Sequence, residues 1–166
     1  MDLYLLRHGD AGDSLLSPVQ DGARKLTSEG VKKTQAVAEA MLEMRYAAPE
    51  VFLVSPYVRA QETMAIAREV LAAKAPVVET RALLPGAEME VTMSQVAKLF
   101  NEYKTMMLVG HEPHLSSFAS IILGGSTRQI IEMKKSSLAL ITIVQNDSLR
   151  MRGYLRMLLP PRVHHL

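Results

Sequence analysis

Two histidines and two arginines stand where apolar segments of the sequence end, and these residue types can bind and transfer phosphoryl groups. Arg7 and His8 directly follow the apolar residues 3–6, while Arg59 and His111 come shortly after two later apolar runs. Guanidinium groups bind non-bridging phosphoryl oxygens through two coplanar donors. Neutral imidazole nitrogens can act as nucleophiles. The sequence therefore predicts phosphoryl chemistry at the ends of three segments.

The two histidines suit different roles in such chemistry. His8 is the candidate nucleophile, because attack of its imidazole on phosphorus would leave a phosphoramidate that water then hydrolyses. His111 is better suited as an imidazolium that donates to a phosphoryl oxygen. The neighbouring arginines press both histidines toward neutrality unless a bound anion balances them. We therefore expect phosphate binding and protonation of His111 to be coupled.

The elements that position these residues alternate between strand and helix. Short apolar runs predict strands at residues 3–6, 51–54, 76–79 and 106–109. Helical spacing of apolar residues predicts helices over 27–44, 59–73, 93–103 and 113–123. Thr27 or Ser28 is the expected N-cap of the first helix.

The last quarter of the sequence no longer alternates between strand and helix patterns. Residues 129–132, 138–144 and 151–158 predict two or three further strands, at least one of them antiparallel. Together with the preceding alternation, this predicts an α/β fold of three layers, α/β/α, with a mostly parallel sheet. Such sheets bind ligands at the carboxyl ends of their strands, where Arg7, His8 and His111 are expected.

Length, charge and composition narrow the class of protein. The 166 residues predict a single domain spanning 1–166. A net charge of +2 without a basic run makes nucleic acid an unexpected partner. There is no cysteine, and no apolar run approaches the roughly 18 residues that a membrane span needs. We expect a cytoplasmic protein with no membrane partner.

Residues 10–25 form the longest stretch without periodicity, and it begins beside His8. Gly, Asp, Ser and Pro are mixed there, which predicts a long loop. Loops of this length in a small domain are usually functional or disordered. The position next to His8 favours a loop that faces the substrate.

The order and spacing of Arg7-His8-Gly9, Ser55-Pro56-x-x-Arg59 and Gly110-His111-x-Pro113 resemble the histidine phosphatase superfamily, which has the phosphoglycerate mutase-like fold. The small size and the segment Asp21-x-x-Arg24-x-Leu26-Thr27-x-x-Gly30 most resemble the SixA group of phosphohistidine phosphatases. The similarity extends over nearly the whole chain.

This resemblance implies a two-step phosphatase that requires neither metal nor cofactor. His8 would become phosphorylated, while Arg7, Arg59 and His111 would hold the phosphoryl oxygens. Asp21 and Arg24 would line the mouth of the pocket and take part in phosphate binding. Two alternatives stay open for these two: a solvated loop pair, or a role of Asp21 in orienting a catalytic histidine or Arg24.

The general acid is the least determined residue of the site. Glu88, Glu90 and Glu112 are candidates, and Glu88 is the first choice because it follows Pro85-Gly86 in a loop expected to face the site. Glu88 and Glu90 would also suit the first turn of the next helix. Protonation matters because an alkoxide leaving group needs an acid, whereas an imidazole with a pKa of roughly 6.5 departs readily once protonated.

Three functions can be built on these residues. A phosphohistidine phosphatase acting on a phosphoprotein or small phosphorylated molecule is the first. A small phosphomonoesterase on a sugar or nucleotide phosphate, with Glu88 as acid, is the second. A phosphate-binding domain without turnover is the third, and the presence of His8, both arginines and His111 disfavours it. The sequence names no partner protein.

Overall fold

The structure, a computed structural model, describes residues 1–14, 17–147 and 150–161. The elements in chain order are β1 (Asp2–Arg7), α1 (Pro18–Gly22), α2 (Ser28–Glu43), β2 (Val51–Val54), α3 (Val58–Val70), β3 (Val77–Glu79), a 3-10 helix (Arg81–Leu83), α4 (Met89–Leu99), β4 (Thr105–Gly110), α5 (His114–Gly124), β5 (Leu138–Asp147) and β6 (Arg150–Leu159).

The strands form one six-stranded sheet in the order β3-β2-β4-β1-β5-β6. β1, β2, β3 and β4 run parallel to one another, and β5 and β6 are antiparallel. Arg7 lies opposite Gly110 in the register of β1 and β4. The residues that follow these two, His8 and His111, therefore leave the sheet side by side at its carboxyl edge.

Side chains of β1 alternate between the two faces of the sheet, as the period of a strand requires. Leu3 and Leu5 belong to the core cluster that includes Val96 of α4 and Phe118 of α5. Tyr4 and Leu6 belong to the opposite cluster, which includes residues of α2 and α3. The predicted α/β/α layering with a mostly parallel sheet is confirmed.

The start of α2 packs tightly against the chain that leaves β1. Thr27 is the N-cap, and its Oγ1 accepts the Gly30 N–H at 3.0 Å. A Cβ at Gly30 would lie 2.2 Å from the carbonyl oxygen of Asp10. This close approach of two backbones requires glycine, and it holds α2 next to the segment that follows His8.

Two predicted elements differ from the structure. The helix expected at 93–103 is α4, which begins at Met89 and ends at Leu99. Apolar spacing continues past its end, but Glu102 and Tyr103 both donate their N–H to the Leu99 carbonyl in a closing turn. The expected boundaries were therefore too late at both ends.

The strand expected at 129–132 is wrong. The Ile130 N–H donates to Ser120 Oγ of α5 at 3.0 Å, and the Gln129 amide donates to Ser116 Oγ at 2.7 Å. This segment thus runs along α5 and satisfies its polar groups there, instead of pairing in the sheet. Its apolar residues gave no sign of that, because the partners come from another element.

The loop expected at 10–25 contains the short helix α1, with Pro18 in its first turn. Positions 15 and 16 of that loop lie outside the described residues. In the part of the chain that the structure describes, no helix has both the length and the apolar character to cross a bilayer. The single domain and the cytoplasmic location stay predictions.

Candidate active site

His8 and His111 face each other at the carboxyl edge of the sheet. Their ring centroids are 4.9 Å apart, with the rings tilted by 55°. Both side chains are buried. The His8 N–H donates to the Gly110 carbonyl at 3.0 Å, and the Ser136 N–H donates to the His8 carbonyl at 3.1 Å. Backbone bonds to β4 and to the approach of β5 therefore fix the position of His8.

Two contacts define the tautomer of His8. Its Nδ1 lies 2.7 Å from the Gly9 carbonyl, which can only accept. The Arg59 Nε–H donates to His8 Nε2 at 3.3 Å, and a guanidinium can only donate. The proton must therefore sit on Nδ1, and the lone pair of Nε2 accepts the hydrogen bond from Arg59.

The surroundings keep this imidazole neutral. Burial lowers the pKa of His8 from 6.5 to about 4, and the charges of Arg59, Arg7 and Arg24 act in the same direction against the Gly9 hydrogen bond. Burial, His8 and Arg59 lower the pKa of His111 to about 2. At neutral pH both rings are uncharged, so a nucleophilic nitrogen at His8 is available without deprotonation.

Ser55 holds His111 from the end of β2. The two side chains meet at 2.7 Å between Ser55 Oγ and His111 Nε2. The Tyr57 N–H donates to the same hydroxyl at 3.4 Å, and the hydroxyl still has its own proton to donate. When Ser55 donates to Nε2, the neutral His111 carries its proton on Nδ1; in the other tautomer Nε2–H donates to Ser55. The edge of Tyr57 packs against the ring, with centroids 5.2 Å apart.

Arg7, the last residue of β1, is bound on one side only. Its Nη1 donates to the Met133 carbonyl at 2.7 Å. Among the residues the structure describes, Arg7 Nε and His111 Nδ1 are the two buried side-chain nitrogen or oxygen atoms without a hydrogen-bond partner. Buried donors are almost always satisfied. Two such nitrogens, one on the residue before His8 and one on the ring that faces it, indicate a place for an oxyanion.

Arg59 approaches His8 from α3 and is held on several sides. Its guanidinium carbon lies 4.7 Å from the centre of the Tyr57 ring. Thr63 Oγ1 donates to the Arg59 carbonyl at 2.7 Å and accepts the Gly9 N–H at 3.0 Å. Thr63 therefore ties the first turn of α3 to the residue after His8, which fixes the backbone of Arg59 relative to that of His8.

Asp21 and Arg24 lie beside Arg59 and not in the solvated loop. Asp21 Oδ2 is 3.1 Å from Arg59 Nη2, and Asp21 Oδ1 is 2.8 Å from Arg24 Nη2. Arg24 Nη1 donates to the carbonyls of Ala11 and Gly12. One carboxylate therefore joins the two arginines, and the interpretation of this pair as a solvated loop pair is excluded by these contacts.

The three candidate acids occupy different places. Glu88 and Glu90 are exposed at the start of α4, and no hydrogen bond or ion pair described for this chain joins them to either active-site histidine. Glu112 is half-buried next to His111, where it accepts both the N–H and the hydroxyl of Ser116. Burial raises the pKa of Glu112, although Ser116 and Arg7 oppose that shift.

The described residues contain no group of three or more His, Cys, Asp or Glu side chains placed to hold a metal ion. The basic groups that converge on His8 instead suit an anion. Sequence reasoning gave no separate role to Ser55 or Thr63. Their positions within the segment from 55 to 63 were a usable signal, since each is a buried hydroxyl beside a proposed ligand of phosphate.

Comparisons with known proteins identify the family of this chain. Residues 3–92 match the model of the histidine phosphatase superfamily, branch 1. An uncharacterized protein of Picosynechococcus sp. is 30% identical over 139 residues, which cover 83% of this chain and 82% of that protein.

Solved structures share the fold. The protein histidine phosphatase SixA, solved in complex with tungstate, superimposes with a TM-score of 0.84 at 22% identity and covers 97% of each chain. A mycobacterial glucosyl-3-phosphoglycerate phosphatase gives a TM-score of 0.71 at 15% identity, covering 96% of this chain and 98% of its own. The predicted phosphoglycerate mutase-like fold is confirmed.

The family match covers the strand that carries Arg7 and His8 and the helix that carries Arg59. His111 lies beyond the matched residues, yet the register of β1 and β4 brings it to His8. Sequence and fold therefore lead to the same assignment: the chain belongs to the histidine phosphatase superfamily, and it is a hydrolase of the phosphatase class.

Proposed function

We propose that this protein is a phosphohistidine phosphatase that acts through a covalent phospho-His8 intermediate. The observation that carries the proposal is the unprotonated His8 Nε2, which contacts Arg59 and whose ring faces His111, together with the unpartnered buried nitrogens Arg7 Nε and His111 Nδ1. Nucleophile and oxyanion donors are the two parts that phosphoryl transfer requires. The structural relative SixA is a protein histidine phosphatase that binds tungstate, which supports the same chemistry here.

The first step forms one bond and breaks one. The substrate phosphohistidine takes a proton from solvent on its other ring nitrogen. His8 Nε2 attacks phosphorus, the P–N bond to this imidazolium breaks, and the bonding pair returns to the substrate nitrogen, so a neutral imidazole leaves. Arg7, Arg59 and His111 donate to the phosphoryl oxygens, whose charge is spread through the transition state. The Nδ1–H of His8 keeps its bond to the Gly9 carbonyl, which stabilises the positive charge of the phosphorylated ring.

The second step returns the enzyme to its starting state. Water attacks phosphorus, the P–N bond of phospho-His8 breaks, and the bonding pair returns to Nε2. The proton that the water loses leaves with the phosphate. In this step His111 acts as a neutral donor through Nδ1, with the Ser55 hydroxyl donating to its other nitrogen. The sequence alone predicts the imidazolium form of His111 as the donor instead.

The placement of the carboxylates favours a P–N substrate. An alkoxide leaving group requires a general acid, whereas a protonated imidazole does not. Glu88 and Glu90 are exposed, and both oxygens of Glu112 are engaged by Ser116. We therefore propose a phosphohistidine, carried by a phosphoprotein or a small molecule, as the substrate. The phosphomonoesterase alternative requires Glu88 to reach the leaving group when a substrate is bound.

The test compares turnover of a phosphohistidine peptide with p-nitrophenyl phosphate and a sugar phosphate. We expect kcat/KM to be highest for the phosphohistidine peptide, and Glu88→Gln to leave it within about twofold, as for a surface site. A preference for the esters that falls in Glu88→Gln would contradict the proposal and support the phosphomonoesterase.

The covalent intermediate is tested by trapping labelled phosphoenzyme. We expect a base-stable, acid-labile phosphoprotein in the parent and none in His8→Asn, whose turnover should fall by at least about 10⁴-fold because the nucleophile is gone. His114→Asn is the matched control, since His114 is a buried histidine bound to Thr92 on α4. Label in His8→Asn at the parental level would assign the nucleophile elsewhere, and a parent that binds phosphate without turnover would be the non-catalytic domain.

A further inference from the structure

Every nitrogen of the Arg59 guanidinium has an acceptor in the protein. Nε donates to His8 Nε2 at 3.3 Å. Nη1 donates to the Asp21 carbonyl oxygen at 2.7 Å, and Nη2 donates to Asp21 Oδ2 at 3.1 Å. One residue therefore holds both terminal nitrogens, through its backbone and its side chain together. A guanidinium has five N–H groups, so one hydrogen on each terminal nitrogen stays available for a ligand.

Asp21 is in turn held by Arg24. Arg24 Nε donates to Asp21 Oδ1 at 2.9 Å, and Nη2 lies 2.8 Å from the same oxygen. The remaining terminal nitrogen of Arg24 donates to the carbonyls of Ala11 and Gly12 at 2.8 and 3.0 Å. The guanidinium of Arg24 is thus attached to the loop and to the carboxylate on all three nitrogens.

These contacts give the two carboxylate oxygens separate partners. Oδ1 is bound by Arg24, which is anchored on the loop, and Oδ2 is bound by Arg59, which points at His8. Arg59 has its own side chain only 4% exposed, and that of Asp21 is 16% exposed. A planar guanidinium held at both terminal nitrogens cannot rotate about its Nε bond, so its orientation toward His8 is defined.

We propose that Asp21 is a positioning residue that orients Arg59 toward the phosphoryl group, and that Arg24 acts on the site only through Asp21. The ligand named here rests on the proposed function, whereas the chain of contacts from Arg24 to Asp21 to Arg59 does not. Neither Asp21 nor Arg24 touches the phosphoryl group in this scheme. Their role differs from the phosphate binding that the family resemblance implied.

Removal of the Asp21 carboxylate changes phosphate affinity in opposite directions under two explanations, positioning of Arg59 and simple charge repulsion. A carboxylate beside an anion site repels the anion, so its removal alone would tighten phosphate binding. If Asp21 orients Arg59, removal releases the guanidinium and weakens binding instead. Misplacement by about 1 Å can reduce rates by about 10²-fold. Positioning is therefore expected to outweigh the loss of repulsion.

The experiment measures binding of inorganic phosphate and of tungstate by calorimetry, together with kcat/KM on the phosphohistidine peptide. We expect Asp21→Asn to weaken both anions by about tenfold and to lower kcat/KM by about 10- to 100-fold. Asp13→Asn is the matched control, because Asp13 is an exposed carboxylate of the same loop. It removes the same charge and should change binding by less than about twofold.

A double-mutant cycle tests whether Asp21 acts through Arg59. In an Arg59→Lys background, which lacks the planar fork, Asp21→Asn should cause no further loss beyond about twofold. Arg24→Gln should weaken phosphate binding less than Asp21→Asn does, and it should have no effect once Asp21 is already asparagine. A mere loss of loop structure would instead add to the Arg59→Lys effect and lower the melting temperature.

Three results would overturn this inference. They are tighter phosphate binding in Asp21→Asn, full additivity with Arg59→Lys, or an equal effect of Asp13→Asn. In each of these cases a parent that turns over phosphohistidine would keep the proposed function intact. A parent that binds neither phosphate nor tungstate would overturn the function and the inference together.

Discussion

The two arginines that flank His8 are held in opposite ways. Arg59 has a protein acceptor on each nitrogen, whereas Arg7 has one on Nη1 and a buried Nε without any. His111 resembles Arg7, since one of its nitrogens is bound by Ser55 and the other is not. Satisfied donors show what the protein positions, and unsatisfied ones show where a ligand belongs.

The largest effect that tests this contrast is expected at Arg7, whose buried Nε has no partner among the described residues. Arg7→Ala should lower kcat/KM by about 10²- to 10³-fold, as loss of one preorganised oxyanion donor does. Steady-state turnover of the phosphohistidine peptide measures it. Arg128→Ala is the control, because Arg128 is an exposed arginine in the loop after α5. An Arg7→Ala protein with parental kcat/KM would mean that the unpartnered Nε marks no oxyanion site.

A smaller effect is expected at Ser55, which in the proposed mechanism donates to Nε2 and keeps the His111 proton on Nδ1. Ser55→Ala removes the hydroxyl that is directed at Nε2, so the ring can take either tautomer and loses part of its donor capacity. We expect phosphate to bind about tenfold more weakly, the typical value of one hydrogen bond to a charged group. Nitrogen chemical shifts of His111 report the tautomer directly.

Ser14→Ala is the control for Ser55→Ala, since Ser14 is an exposed serine in the loop that follows His8. Its phosphate affinity should equal that of the parent. Unchanged nitrogen shifts of His111 in Ser55→Ala would show that another group holds the tautomer, and the open nitrogen would then need a different explanation.

The most gradual effect is on stability as the pH falls. Burial lowers the pKa of His8 to about 4 and that of His111 to about 2 in the folded protein, below the ordinary value of 6.5. The unfolded chain therefore binds more protons below pH 6.5, and the free energy of unfolding should fall from there to about pH 4. The slope is at most about 1.4 kcal/mol per pH unit for each histidine.

Denaturant melts between pH 7 and 4 measure this slope. His8→Asn should flatten it, because one of the buried neutral histidines is gone. Phosphate should also flatten it, since a bound anion favours protonation of the rings. An equal slope in the parent and in His8→Asn would mean that other groups cause the acid instability.

The strands and the order of the elements were predictable because each apolar run ends at a polar turn, as Leu6 does before Arg7. The N-cap at Thr27 followed from its type and position. The convergence of His8 and His111 followed from the rule that parallel strands end at one edge. Local pattern and general topology therefore accounted for the fold and for the principal residues of the site.

Partners from distant elements were not predictable. The Met133 carbonyl that binds Arg7 and the Ser55 hydroxyl that binds His111 depend on how loops pack, and no local pattern encodes that. The same holds for residues 129–132, whose polar groups bind α5, and for Asp21, whose contact with Arg59 depends on α1. The sequence indicates which groups are present, and packing decides which of their atoms stay open.

The backbone contacts around His8 determine when the active site can be complete during synthesis of the chain. The Arg7 N–H is bound by the carbonyl of Ser137, and the His8 carbonyl is bound by the Ser136 N–H. A ribosome that has made the chain as far as the end of α5 has therefore produced every proposed phosphate ligand but not the segment that holds Arg7 and His8. Because chains emerge from the N-terminus, this enzyme should begin to turn over substrate only when its last hairpin starts to leave the ribosome.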